Sequence, residues 1–268
     1  MKIKGKTVVV TGGGSGMGRE LVLQLLKQGA RVATVDVNAE SLAETQRMAG
    51  VGPDQLLTLT GSVGDRAFVE ALPEKVAAAL GPTDGIINNA GIIQPFVRLK
   101  DLEWSAIDRV MQVNWSGTLY MVKSFLPGLL QRPDAHVVNI ASMGGFLPVP
   151  GQSIYGASKA AVKLMTEALY AEVQGTNLHV TVVFPGAVAT NITTNSGVTI
   201  KGMDASAASK HKTTSASDAA TQILEGMEDN AFRVLVGSDA KFMDKLYRLN
   251  PQRAVKFIAK QMKDLLGT

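Results

Sequence analysis

The chain has 268 residues, 46% of them apolar and 19% charged, which is enough for one large α/β domain with a packed core. It has no cysteine, which excludes disulfides and thiolate chemistry, and its three histidines, His136, His179 and His211, lack metal-ligand spacing and read as surface or strand-edge residues. The net charge of +4 sits in the tail: residues 239–268 hold seven Lys/Arg against three Asp while the rest balances, so no basic face is offered to nucleic acid.

The N-terminal MKIKGKTVVV lacks the apolar stretch and cleavage site of a signal peptide. No apolar run reaches the ~18 residues of a membrane span. A cytoplasmic protein without a membrane partner is expected. Lys6 to Val10 is a β-branched run and reads as a buried strand. The turn Thr11-Gly-Gly-Gly-Ser-Gly-Met-Gly-Arg19 follows, and Leu21, Val22, Leu25 and Leu26 then take helical spacing up to Gly29. Strand, glycine turn and helix form a phosphate-binding arrangement, because glycines admit a pyrophosphate to the backbone and helix N–H groups face it. Gly12, Ser15, Gly16, Met17 and Gly18 are the candidate contacts.

The second strand, Arg31 to Asp36, ends twenty residues beyond Gly16. A carboxylate there can accept hydrogen bonds from the ribose hydroxyls of NAD and would repel the 2′-phosphate of NADP. The competing reading has Asp36 capping the next helix. A helix over 39–48, a strand over 55–60, a helix over 65–80 and a strand over 84–87 come next, the last leading into Asn88-Asn89-Ala90-Gly91. A long helix is predicted over 103–130, interrupted at Asn114-Trp115-Ser116-Gly117 by residues that favour helix poorly. That interruption is either a bulge that frees a carbonyl or a plain defect.

Strands are predicted over 136–140 and 179–184, the second ending in Pro185-Gly186. Residues 187–213 are rich in Ser, Thr, Asn, Ala and Gly and read as a binding loop or lid. A helix over 216–228 and a strand over 232–236 complete the alternation, which implies one Rossmann-type, doubly wound parallel sheet of about seven strands in a single domain spanning 1–268. In the basic tail, 239–268, Val255, Ile258, Met262 and Leu266 form one helical stripe and Lys256, Lys260 and Lys263 another. Such a tail packs against the body or a partner subunit, or lies on a membrane surface.

Ser142 to Lys159, SMGGFLPVPGQSIYGASK, carries the chemistry. Tyr155 and Lys159 are four residues apart on a helical pattern and so share a face. A neighbouring cation favours phenolate, which would make Tyr155 a general acid/base near neutral pH. Ser142 stands at a strand end, where its hydroxyl could meet a substrate oxygen.

With these motifs in place, the chain resembles the short-chain dehydrogenase/reductase family over nearly its whole length. Thr11, Gly12, Gly16 and Gly18 match that family's Thr-Gly-x-x-x-Gly-x-Gly, and residues 88–91 match its Asn-Asn-Ala-Gly. The resemblance puts the catalytic Asn, Ser, Tyr and Lys at Asn114, Ser142, Tyr155 and Lys159, with Asn114 holding a water for proton relay and Lys159 binding the nicotinamide ribose. It puts cofactor contacts at Asn89, Ala90, Gly91, Pro185, Gly186, Val188 and Thr190. Ser62-Val63 stands where family members usually have Asp-Val, so the adenine contact departs from the pattern. The Tyr–Lys spacing differs from that of the family's enoyl reductases and points away from carbon–carbon double bonds.

The resemblance implies an NAD(H)-dependent oxidoreductase that interconverts a secondary alcohol and a ketone. It also implies a homotetramer or dimer packed through helices 103–130 and 155–173. A non-catalytic nucleotide sensor or scaffold on the same fold is the alternative. Ile93, Gln94, Phe96, Met143, Phe146, Leu147, Val149 and Gln152 are the expected pocket residues, together with part of 187–213. They are mostly apolar and suit an uncharged ketone or alcohol.

Overall fold

The computed structural model describes residues 1–198 and 213–262. His211, Lys263, Leu266 and residues 199–212 of the expected loop lie outside the described residues. Seven parallel strands form the main sheet: β1 (Thr7–Thr11), β2 (Arg31–Asp36), β3 (Leu56–Thr60), β4 (Gly85–Asn88), β5 (Ala135–Ile140), β6 (Leu178–Pro185) and, beyond a short parallel pair β7 (Val188–Ala189) and β8 (Thr214–Ser215), β9 (Arg233–Val236). Their spatial order is β3-β2-β1-β4-β5-β6-β9. The order reverses between β1 and β4, and at that point the strand ends open a crevice.

The strands read as unbroken apolar runs because helices cover both faces. Side chains alternate between the two. Val8 and Val10 face one cluster with Leu21, Leu25, Ile87, Val138 and Ile223, while Val9 faces the other with Val76, Ile86, Phe125, Leu129 and Val137. On the first face lie α1 (Gly16–Lys27) and α9 (Ala216–Glu228). The second carries α4 (Leu72–Leu80), α6 (Thr118–Leu129) and α7 (Ser153–Glu172). The remaining helices are α2 (Ala39–Ala49), α3 (Arg66–Glu70), α5 (Trp104–Met111), α8 (Ile192–Asn195), α10 (Ser238–Leu249) and α11 (Pro251–Gln261).

Three expected elements are subdivided. The helix expected over 65–80 breaks into α3 and α4 at Ala71, because Pro73 fits only a first turn. The helix expected over 103–130 is α5, a π-helical turn Gln112–Gly117, and α6. The interruption is thus a bulge, although the Asn114 carbonyl already accepts the Thr118 hydroxyl at 2.8 Å. The described part of the tail is two helices, restarted at Pro251 with Asn250 accepting Arg253 N–H at 2.9 Å. Its buried stripe includes Ala254 and Ile258, packed with Leu147 and Met243, so the described part of the tail packs against the body.

The reading of His136 as a surface residue is corrected. His136 is fully buried on the central strand β5, with Nε2 2.8 Å from the Thr181 hydroxyl on β6. Burial pushes its pKa well below the ordinary value of 6.5, so it is a neutral core residue.

Candidate active site

The glycine turn is fastened between three strands. Gly12 N–H donates to Val35 O at 2.7 Å, and the Thr11 hydroxyl accepts from Asn89 and Ala90 N–H, both at 3.0 Å. A Cβ at Gly18 would lie 1.9 Å from the Gly12 carbonyl oxygen, so only glycine lets α1 start this close to the turn. Ser15, the residue preceding α1, makes no side-chain capping bond, and no acidic residue stands in the first turn. The helix therefore presents uncapped N–H groups and its positive dipole end to a cleft, which fits a pyrophosphate.

Asp36 is fixed by its own backbone bonds. Oδ2 accepts Gly14 N–H at 2.9 Å and Oδ1 accepts Asn38 N–H at 3.0 Å. It does not cap α2; Asn38 does, accepting Ser41 N–H at 2.9 Å. Arg19, the nearest cation to the glycine turn in sequence, is drawn toward α2, donating to Gly14 O and to the Thr45 hydroxyl.

Across the crevice, Ser142 follows β5 and Tyr155 and Lys159 stand in the first two turns of α7. Glycine controls their approach: a Cβ at Gly145 would sit 2.9 Å from the Lys159 carbonyl oxygen. Ser142 Oγ accepts Gly144 N–H at 3.0 Å, which leaves its own proton to donate. Lys159 is buried, and among the described residues Nζ has one partner, the Ile140 carbonyl at 2.8 Å. Two of its donors remain for a ligand.

Burial without a counter-ion lowers the Lys159 pKa from 10.5 to about 8. Burial also raises the Tyr155 phenol above its ordinary value, and a hydrogen bond with Ser142 opposes that only in part. The expectation that Lys159 acidifies Tyr155 is therefore not met in the cofactor-free chain. The two groups share a face, but burial dominates both.

One cleft of about 410 Å³ is lined by Gly12, Ser15, Met17, Gly18, Asp36, Ser62, Val63, Asn89, Ala90, Gly91, Ser142, Tyr155, Lys159, Pro185, Gly186, Val188 and Thr190. Expected catalytic and cofactor residues that are far apart in sequence thus meet in one place. Gly16 lies just behind that wall, its Cβ position 3.2 Å from Thr190. Asn114 is buried beneath it, its side chain bonded to Ile92 N–H and Ile92 O, both at 2.9 Å, and to Ser158 Oγ at 3.0 Å.

The expected substrate residues separate. Ile93 lines the cleft, whereas Gln94, Met143, Phe146 and Gln152 are not among its walls. Met143, Phe146 and Leu147 pack against the tail helices, and Gln94 and Gln152 are buried against each other at the start of α7. Phe96 and Val149 are likewise outside the cleft walls. Sequence reasoning missed Val113, and included Asn191, Ile192 and Asn195 only as part of the binding loop over 187–213; all four line the cleft. Asn195 reaches across to the glycine turn, donating to Ser15 Oγ at 2.8 Å. No sequence period marks that segment, and its contacts arise only from the path of the chain after β6.

Comparisons with known proteins bear on the family and the fold. The profile of a family described as short chain dehydrogenase matches residues 6–201. The chain is 36% identical over 253 residues to a Mycobacterium tuberculosis protein named as an oxidoreductase, SadH, covering 92% of this chain and 91% of that one. A short-chain dehydrogenase/reductase from Burkholderia phymatum, solved in complex with NAD, superposes with a TM-score of 0.84 at 27% identity, over 94% of this chain and 96% of that one. The closed form of a serine dehydrogenase complexed with NADP⁺ superposes with a TM-score of 0.74 at 27% identity, over 82% and 88% of the two chains.

Proposed function

The chain belongs to the short-chain dehydrogenase family of oxidoreductases, and from that premise we propose that it interconverts a secondary alcohol and a ketone with NAD(H). One observation carries the reading: Ser142, Tyr155 and Lys159 line the same cleft as the uncapped α1 terminus and Asp36. A nucleotide sensor would need the second half of that cleft but not the first.

When bound, the dinucleotide supplies the hydride acceptor or donor. The chain's own residues do the rest. Tyr155 gives its phenolic proton to the ketone oxygen in reduction and takes the alcohol proton in oxidation. The Ser142 hydroxyl, its lone pair engaged by Gly144 N–H, donates to the same oxygen as negative charge develops there. The two remaining Lys159 donors take ribose hydroxyls. Asn114 holds the Ile92 backbone beside them, and the water relay assigned to it from the resemblance is part of this proposal.

NAD rather than NADP follows from Asp36. Its carboxylate lines the cleft and would repel a 2′-phosphate; Arg19 stands close by, but its donors are engaged by Gly14 O, Ser41 O and the Thr45 hydroxyl, so the carboxylate decides. That repulsion is several kcal/mol at an effective dielectric of ~20, before screening. Neighbours bound to either cofactor leave the likeness neutral on this point.

Among the described residues, Asp36 and Lys159 are the only charged ones in the cleft walls, while Ile92, Ile93, Val188 and Ile192 are apolar, which suits an uncharged, moderately hydrophobic substrate. A homodimer or tetramer through α6 and α7 is also proposed, on the exposed Leu130 and Leu164; light scattering tests it. No helix among the described residues is long and apolar enough to cross a membrane, and a cytoplasmic location is part of the same proposal. The deciding assay is a panel of ketones followed by nicotinamide absorbance with NADH and NADPH. Binding of NADH without turnover of any member would favour the sensor.

A further inference from the structure

Helix α7 carries Tyr155 in its first turn, and the preceding residue, Gln152, makes no side-chain capping bond. The N–H groups of a first helical turn have no partner within the helix and need an acceptor from outside. Here the acceptor comes from the loop after β4. Gln94 Oε1 accepts Ile154 N–H at 2.8 Å and Tyr155 N–H at 3.0 Å. Its Nε2 donates to Gly151 O at 3.0 Å, and its main-chain carbonyl accepts Gln152 Nε2 at 2.8 Å. Gln94 is 0% exposed, so no water competes for these bonds.

The neighbours of Gln94 reach the other parts of the site. Ile92 is held at both its N–H and its carbonyl by the Asn114 side chain, and Ile93 N–H donates to Ser196 Oγ at 3.0 Å, on the segment that crosses the cleft. A short run therefore joins the bulged helix, the crossing segment and the start of α7. Any movement of Gln94 displaces the turn that bears the phenol.

We propose that Gln94 is the positioning residue of Tyr155, capping α7 from another part of the chain and thereby fixing where the phenol meets Ser142 and the substrate oxygen. This rests on the reading of Tyr155 as the acid/base group. The choice of an amide has a reason. A carboxylate would cap the positive helix end more strongly. It would also oppose the Gly151 carbonyl and place an anion at the foot of the helix that carries the phenol, favouring the neutral phenol. The amide oxygen caps without that charge.

Two variants test it. Gln94→Leu removes the one oxygen that accepts both N–H groups, at similar volume. We expect kcat to fall by roughly tenfold or more, since small misplacements of a reacting group are costly, while NADH affinity by fluorescence stays within about twofold. Gln94→Glu keeps an oxygen that can accept both bonds. We expect it to hold kcat within a few-fold at its optimum and to move the alkaline rise of alcohol oxidation upward by about half a pH unit or more.

Wild-type kcat in the Leu variant overturns the assignment. So does an unmoved pH profile in the Glu variant if the Leu variant fails to fold. A lower melting temperature with unchanged kcat and pH profile would mark a structural cap and likewise overturn it. Tyr155→Phe serves as the reference: if that variant turned over normally, the acid/base reading itself would fall, independently of Gln94.

Discussion

Lys159 links cofactor affinity to pH. In the cofactor-free chain it is buried with one hydrogen-bond partner among the described residues, and its pKa is lowered from 10.5 to about 8. A bound dinucleotide would bring ribose oxygens to its two vacant donors and negative charge to the cleft, returning the pKa toward the ordinary value. A group whose pKa rises on binding takes up a proton, so affinity is fully present below the free pKa and declines as pH rises through it. With 8 for the free chain and 10.5 for the complex, NADH affinity should fall roughly tenfold between pH 7 and pH 9. Fluorescence titration across that range at constant ionic strength measures it, and calorimetry in buffers of different ionisation enthalpy should show proton uptake near pH 9. Lys159→Met should bind more weakly at pH 7 and lose the pH slope. A dissociation constant that changes less than twofold in the wild type, or an unchanged slope in the Met variant, refutes the argument.

The lowered pKa also bears on stability. The cost of the buried ammonium is fully present below about 8 and vanishes toward 10.5. Removing it with Lys159→Met should stabilise the cofactor-free protein at pH 7 by about 2 kcal/mol, once the lost bond to Ile140 O is counted. That corresponds to a melting temperature higher by about 4–8 °C, with activity lost.

Tyr155→Phe should lower kcat by ~10²-fold or more and leave NADH affinity nearly unchanged; wild-type turnover would remove Tyr155 from the chemistry. Ser142→Ala should reduce kcat/KM by roughly 10- to 100-fold through the lost donor. Its melting temperature should fall only slightly, because one capping bond to Gly144 N–H goes; a large thermal loss with normal kinetics would reassign Ser142 to structure. Asp36→Ala should narrow an NADH preference of ~100-fold or more, and adding Val37→Arg should reverse it; equal kcat/KM for NADPH and NADH in the wild type would refute the role given to Asp36.

Much of the fold was legible because a parallel sheet covered on both faces writes its strands as continuous apolar runs. Val8 to Val10 and Val180 to Phe184 could hardly be anything else. The cleft was legible for a related reason: the turn needs glycine at Gly12 and Gly18, and such requirements leave a fixed spacing. Breaks inside helices were less visible. The π-helical turn at Gln112–Gly117 shows in the sequence only as poor helix residues, and the break before Pro73 lies inside a stretch that reads as one helix.

His136 shows the limit of reading a polar residue from its own neighbourhood. Its partner, the Thr181 hydroxyl, lies on the adjoining strand and is itself committed to Ala231 O at 2.6 Å, so Nε2 gains its partner only once β5 and β6 pair. Gln94 is the same case at the site. The sequence displays the demand: α7 opens on Ser-Ile-Tyr behind a glutamine that makes no side-chain cap. It does not display the supplier, sixty residues upstream of Ile154, because nothing periodic connects the two. Both residues are polar side chains buried far from the residues that need them. A helix start without a local partner therefore marks where either a ligand, as at α1, or a distant polar residue arrives, and at the turn bearing Tyr155 it is Gln94.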